Sequence, residues 1–415
     1  METKTLTPIP SNQRADILDI LRGFALLGIC LANYPAISMY VFQKPEVMAA
    51  MPTATIDTWV EYFHLVFIEG KFYSLFSLLF GIGFSIFLLR AKQAGKGLNV
   101  FYKRIFILLI IGLMHSLLLW EGDILLLYAL IGLILSLFRN VPDKKLIILW
   151  AVLILSPIII DGIKVITDNQ WNLSKPLERL GMAIDEKTGI TEDNWRTWNV
   201  DHSSYSDLFR FNQSGIIYRY MGLVDSNRFF KVLGMFLLGL YAGRKLLYRN
   251  LDEHKTLFRK VQFYGYVIGI PLSVAYAYFD HDENRLPHAL GLLDTVCYAL
   301  SVVPLSLAYT ASICLLFTSS IYRKRLDLFA APGKMALTNY IMQTVIGIIL
   351  FYGIGFGLGA TMGVVYVIFI ALAVFAFQVF YSHWWLKHFN YGPLEWIWRQ
   401  LTYGKILPLK KAKPN

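Results

Sequence analysis

The stretch that decides the fold runs from Ile105 to Ala129, IFILLIIGLMHSLLLWEGDILLLYA. It reads as an apolar helix, a hinge (Trp120, Glu121, Gly122, Asp123) and a second apolar helix. One histidine, His115, lies inside the first helix, and one aspartate, Asp123, closes the hinge. An ionisable side chain within hydrocarbon costs about 2.5–3.5 kcal/mol on insertion scales, so this pair is the first place to look for function.

Outward from that stretch the whole chain has the same character. Of 415 residues, 56% are hydrophobic and 16% charged, with a mean hydropathy of +0.50. A soluble chain would carry roughly a quarter charged residues. The apolar runs approach the length of about 20 residues that a helix needs to cross a bilayer core. The expected fold class is therefore all-α, a polytopic membrane bundle of about ten spans. These fall near 17–40, 71–90, 103–120, 123–139, 145–165, 228–248, 258–279, 290–317, 335–356 and 362–386.

Charge orients the bundle. Arg90, Lys92, Lys96, Lys103 and Arg104 lie between the second and third spans, and Arg139, Lys144 and Lys145 between the fourth and fifth. Arg244, Lys245, Arg249, Lys255, Arg259 and Lys260 follow the sixth, and Arg323, Lys324, Arg325 and Lys334 the eighth. The tail adds Lys387, Arg399, Lys405, Lys410, Lys411 and Lys413. The alternate junctions carry Asp57, Glu61, Glu69, Glu121, Asp123, Asp280, Asp282 and Glu283. The positive-inside rule then places both termini in the cytoplasm. It also explains the net charge of +11 without a nucleic-acid partner, because the bases sit in short loops rather than in a groove. The N-terminal apolar segment is too long for a signal peptide and lacks a small-residue cleavage site, so it is expected to stay as the first span.

The chain divides into a five-span half at 1–165, a polar loop at 166–227 and a second five-span half at 228–415. The loop holds nine acids and six bases, which suits the outer face, and has no clear helical period. Its Trp171, Trp195, Trp198 and Tyr205 fit either an ordered cap or an interfacial aromatic belt. Residues 53–70 and the tail after the last span read as amphipathic surface stretches.

Within the spans, Arg22 and Asn33 lie three turns apart on one face, about 16 Å along the axis. Arg104 and His115 repeat that spacing. Each helix thus offers a cation below and a hydrogen-bonding group above. The arginines also suit plain snorkelling, and Asn33 suits interhelical glue. His115 can act as a general base, with Asp123 as its orienter; Asp123 equally suits the N-cap of the next helix. Lys71 and Tyr128 are candidate substrate contacts, Lys71 doubling as a helix-end anchor. The three cysteines, Cys30, Cys297 and Cys314, sit in apolar segments without a CxxC pair, and no metal site is expected.

Five stretches carry a resemblance. ILDILRGFALLGICLANY (17–34), GKFYSLFSLLFGIGF (70–84) and RIFILLIIGLMHSLLLWEGDILLLYALIGL (104–133) resemble the YeiB-like family of bacterial membrane proteins. GKMALTNYIMQTVIGIILFYGIGFG (333–357) and FNYGPLEWIWRQLTYG (389–404) are similar to that family's C-terminal domain of unknown function. The N-terminal half further resembles the transmembrane acyltransferase group that includes heparan-α-glucosaminide N-acetyltransferase. There an arginine, ten residues and an asparagine mark the active centre, which maps to Arg22 and Asn33. That enzyme's catalytic histidine lies in the loop after its first span, where this chain offers His64. The related sugar acyltransferases have histidine where this chain has Asn33, which shifts base catalysis to His115.

The resemblance implies a bacterial inner-membrane acyltransferase. Acetyl-CoA or another acyl-CoA would dock on Arg22 and Arg104, and the acyl group would pass to an extracytoplasmic glycan, lipid or small-molecule acceptor. His115, Asp123 and Asn33 would be catalytic. Membrane lipids surround the chain, and the sequence leaves room for a homo-oligomer. The alternative is a transporter or permease with the same polar residues lining its path.

Overall fold

The computed structural model describes residues 16–95, 97–280 and 286–411; Lys96, Asp282, Glu283 and Lys413 of the charge pattern lie outside them. The described chain is helical throughout, with no strand beyond one isolated bridge between Phe389 and Lys410. The longer helices, in order, are α1 Asp16–Ile37, α2 Ala54–Phe67, α3 Lys71–Gln93, α4 Asn99–Leu118, α5 Leu125–Leu135, α6 Asp143–Ile166 and α7 Lys175–Thr188. Then come α8 Tyr205–Asp225, α9 Arg228–Arg244, α10 Lys255–Phe279, α11 Ala289–Phe317, α12 Ala336–Phe351, α13 Val364–His388 and α14 Pro393–Tyr403.

A helix overlies each of the ten apolar runs, but the runs are not equivalent. Among the described residues, six helical stretches are long and apolar enough to cross a membrane: Asp16–Ile37, Ala54–Gln93, Asn99–Leu118, Asp143–Ile166, Ala289–Phe317 and Val364–His388. A seventh results if Ser320–Lys334 and α12, which meet at 78°, count as one broken span. The remainder fall short for physical reasons. The Leu125–Asn140 run is brief. The 17 residues of α9 reach only about 25 Å. Lys255, Arg259, Lys260 and Gln262 make the first two turns of α10 polar.

The helices expose apolar surface, as lipid-facing helices do. Ile148, Val152, Leu155, Ile159 and Ile163 line the outside of α6, while Asp161 and Lys164 turn inward and pair at 2.9 Å. Phe369, Phe377 and Phe380 are exposed on α13. This is a multi-pass membrane architecture, built as an all-α bundle.

The centre is α1, packed on α3, α12 and α13. α4 lies against α5, α8 and α14. The crossing of α3 and α9 is close because glycines face each other: a Cβ on Gly81 would strike the Phe236 carbonyl, and one on Gly239 the Leu78 carbonyl.

The 166–227 segment is largely helical, a correction to the reading that it lacks a helical period. α8 alone spans 21 residues and buries Leu208, Phe211, Asn212 and Gly215. Its apolar positions are too few for a strong pattern, since one side meets α4 and another packs on α7. Trp198 is buried with its Nε1 donating to the Asp207 carbonyl at 3.0 Å, whereas Trp171 is exposed.

Candidate functional site

α4 ends at Leu118, and the chain turns through Trp120–Asp123 back toward its own last turn. That reversal brings Asp123 under His115. Asp123 Oδ1 lies 2.9 Å from His115 Nδ1, and His115 Nε2 lies 3.0 Å from the Thr344 hydroxyl on α12. The other Asp123 oxygen accepts from the Leu126 N–H at 2.6 Å. The aspartate therefore orients the imidazole with one oxygen and satisfies a free N–H at the start of α5 with the other, the two roles the sequence left open. All three side chains are buried, with exposures of 2% (His115), 4% (Asp123) and 1% (Thr344). A carboxylate, an imidazole and a hydroxyl in line form a proton relay of the kind that activates an oxygen nucleophile.

Tyr340 closes the layer from below. Its ring centre is 5.2 Å from that of His115, and its hydroxyl accepts from the Ile124 N–H at 3.3 Å. Tyr340 and Ile124 also form the far wall of a cavity of about 1110 Å³ that opens at the opposite helix ends. Arg22, Arg90, Arg104, Arg249, Arg323 and Lys334 line its mouth. Arg22 is paired with Asp19 at 2.5 Å, and the Arg104 guanidinium stacks 4.2 Å over the Trp398 ring of α14. Tyr128 stands on the same wall, its hydroxyl hydrogen-bonded to Ser77 Oγ at 2.7 Å and donating to the Tyr73 carbonyl at 2.8 Å.

Two sequence candidates lie elsewhere. Asn33 is half-buried on α1 and makes no hydrogen bond to His115 or Asp123. Lys71 is fully buried and donates to the Leu65 carbonyl at 2.7 Å, near the end of α2. His64 is half-buried on α2 with its Nε2 unpartnered among the described residues.

Sequence reasoning missed Thr344 and Arg219. Arg219, on α8, lies within electrostatic reach of Asp123, Glu121, Tyr340 and Arg228. Its Nε is buried without a partner among the described residues. Burial also pushes the Glu121 carboxyl in the hinge up to about 7, a rise that the Arg219 charge opposes.

Residues 242–405 match a family described as a protein of unknown function, DUF418. The chain is 30% identical to the uncharacterized protein YxaH of Bacillus subtilis, with 98% of each chain covered. The chain belongs to the YeiB-like family. YeiB of Escherichia coli is 28% identical over 94% of this chain and 96% of its own. An uncharacterized 39.9 kDa protein from the amylase 3' region of Bacillus acidopullulyticus is 27% identical, covering 98% and 99%. The DUF418 match takes in Thr344 and Trp398 but starts after His115 and Asp123, so in this YeiB-like chain the relay joins the matched region to the N-terminal half.

Proposed function

We propose that this YeiB-like protein is a membrane acyltransferase of the bacterial inner membrane, with ten spans and both termini in the cytoplasm. The short helices Leu125–Asn140 and α9, the polar-ended α10 and the bent pair of Ser320–Lys334 with α12 complete the count. Acyl-CoA, with acetyl-CoA the first donor to test, docks from the cytoplasm into the large cavity, its phosphates on Arg22, Arg104 and the neighbouring bases. The observation that carries the reading is that this basic-mouthed cavity ends at Tyr340 and Ile124, directly against the His115–Asp123 pair.

In the reaction, an outer-face acceptor takes the position at Nε2 that the Thr344 hydroxyl holds. His115 removes the proton from the acceptor hydroxyl or amine, whose oxygen or nitrogen bonds to the thioester carbonyl carbon. The carbon–sulfur bond breaks, and the imidazolium returns its proton to the departing thiolate. Asp123 holds the ring and balances its charge. Arg219 stabilises the negative charge that develops on the carbonyl oxygen.

Calorimetry of detergent-purified protein with acetyl-CoA and with free CoA tests the donor site. Binding that Arg22→Ala and Arg104→Ala both weaken supports the reading. Its absence in folded protein overturns it. One feature favours transport as a second reading: two separate cavities approach each other across a layer of tyrosines. Substrate uptake by proteoliposomes without acyl transfer would select that reading.

A further inference from the structure

The second cavity, of about 570 Å³, lies among α6, α9, α10 and α11 and shares no lining residue with the first. That volume is in the range of small-molecule sites. Most of its charges are already matched. Lys164 pairs with Asp161 at 2.9 Å and donates to the Asp225 carbonyl at 3.0 Å. Asp161 also accepts from Asn227 at 2.9 Å and Thr295 at 2.8 Å. Arg228 reaches Glu69 at 3.4 Å.

Asp280, also on the wall, accepts from the Tyr276 hydroxyl at 3.4 Å, and two further charged groups are left over among the described residues. Lys231, on α9, rests its ammonium 4.0 Å from the centre of the Tyr298 ring and makes no ion pair among the described residues. Asp294, on α11, has a buried Oδ1 with no hydrogen-bond partner among them. Each lies within electrostatic reach of the other, yet they are not within the 4.0 Å of a salt bridge. Were the two present only to neutralise each other, contact would be expected, because a partly buried charge gains most from a direct partner. Lys164 and Asp161 in the same wall do close to contact. An opposed pair that lines one cavity and is kept out of contact suits a ligand carrying both signs.

We infer that this cavity binds a small zwitterion, a molecule with a primary ammonium and an acidic group a few bonds apart. Its acidic end meets Lys231 and Arg228, and its ammonium meets Asp294. A free solute and the headgroup of an aminophospholipid share that chemistry. The inference rests on this cavity alone and holds whether or not the first cavity takes acyl-CoA.

The probe is O-phosphoethanolamine, titrated calorimetrically into full-length protein, with inorganic phosphate and ethylamine as single-charge controls. Phosphatidylethanolamine nanodiscs, compared with phosphatidylglycerol nanodiscs, form the lipid arm. Lys231→Gln and Asp294→Asn are each expected to weaken O-phosphoethanolamine by tenfold or more, with Lys231→Arg retaining binding and the melting temperature of each variant serving as the folding control. Binding seen only with the phosphatidylethanolamine nanodiscs, with the same sensitivity to substitution, also supports the site and identifies a lipid source. Inorganic phosphate binding as tightly as O-phosphoethanolamine, with Asp294→Asn indifferent, overturns it in favour of a simple anion site. No response to either source in folded protein overturns it outright.

Discussion

Asp123 divides its two oxygens between His115 and the Leu126 N–H, and substitutions can separate those duties. Asparagine still accepts from Leu126 but cannot balance an imidazolium. Asp123→Asn should therefore melt close to wild type while slowing acyl transfer by about 10²–10⁴-fold, the range of a general base. Asp123→Ala should lose the activity and about 1–2 kcal/mol as well. A substitution that lowered both together in Asp123→Asn would reduce the pair to scaffolding. Glu121 gives a separate test of the hinge. Its ordinary value of 4.5 rises to about 7, mainly through burial, so the folded state holds the proton more tightly than the unfolded chain. The stability it contributes is fully present below about pH 4.5 and is lost as pH climbs through 7. Melting curves between pH 5 and 8 should show wild type declining relative to Glu121→Gln; parallel curves would mean that Glu121 does not titrate in that window. His115 and Asp123 were legible in the sequence because charge in an apolar run stands out. Thr344 was not, since a threonine in a span looks the same whether it faces a histidine or its own backbone. Arg219 was hidden by a polar segment in which an arginine is unremarkable.

At the scale of the helix, glycine marks which contacts are obligatory. Gly81 and Gly83 lie two residues apart in α3, and by sequence either suits a close helix contact. Only Gly81 has it; a Cβ on Gly83 would meet nothing within 4 Å. Gly239→Val should push α9 off α3 and cost several kcal/mol or prevent folding, because the atom in the way is backbone and cannot turn aside. Gly83→Ala should be neutral or stabilising by about 0.5–1 kcal/mol through helix propensity. Thermal unfolding in detergent separates the two, and equal effects would remove the close crossing as a determinant. The tail shows what spacing alone hides. The amphipathic pattern of 393–403 predicts a surface helix, but its Glu395 is buried, accepting from Leu337 N–H at 2.7 Å, Thr338 N–H at 3.1 Å and the Thr338 hydroxyl at 2.6 Å. A carboxylate on a polar face that serves as the cap of another helix is invisible until the two helices are brought together. That cap fixes α14, and through Trp398 it fixes Arg104.

Across the whole molecule, three tyrosines, Tyr128, Tyr73 and Tyr298, lie between the two cavities. Tyr128, on the wall of the first, donates to the carbonyl of Tyr73; the Tyr73 hydroxyl lies 3.2 Å from that of Tyr298, on the wall of the second. The functional meaning of this arrangement depends on which cavity faces the cytoplasm. Positive-inside assigns the basic-mouthed cavity to it, and the three native cysteines make that assignment simple to test. Cys30, Cys297 and Cys314 are buried, with exposures of 0%, 8% and 4%, so a membrane-impermeant maleimide should leave the native chain unlabelled. Exposed lysines can then be replaced one at a time: Lys187 at the end of α7, and Lys92 at the end of α3. In spheroplasts Lys187→Cys should label and Lys92→Cys should not, with the pattern reversed in sealed inverted vesicles. The opposite result would turn the basic mouth outward, away from any cytoplasmic acyl-CoA. The acyltransferase reading would then fall with the topology, while the zwitterion cavity, defined by its own charges, would simply open to the other compartment.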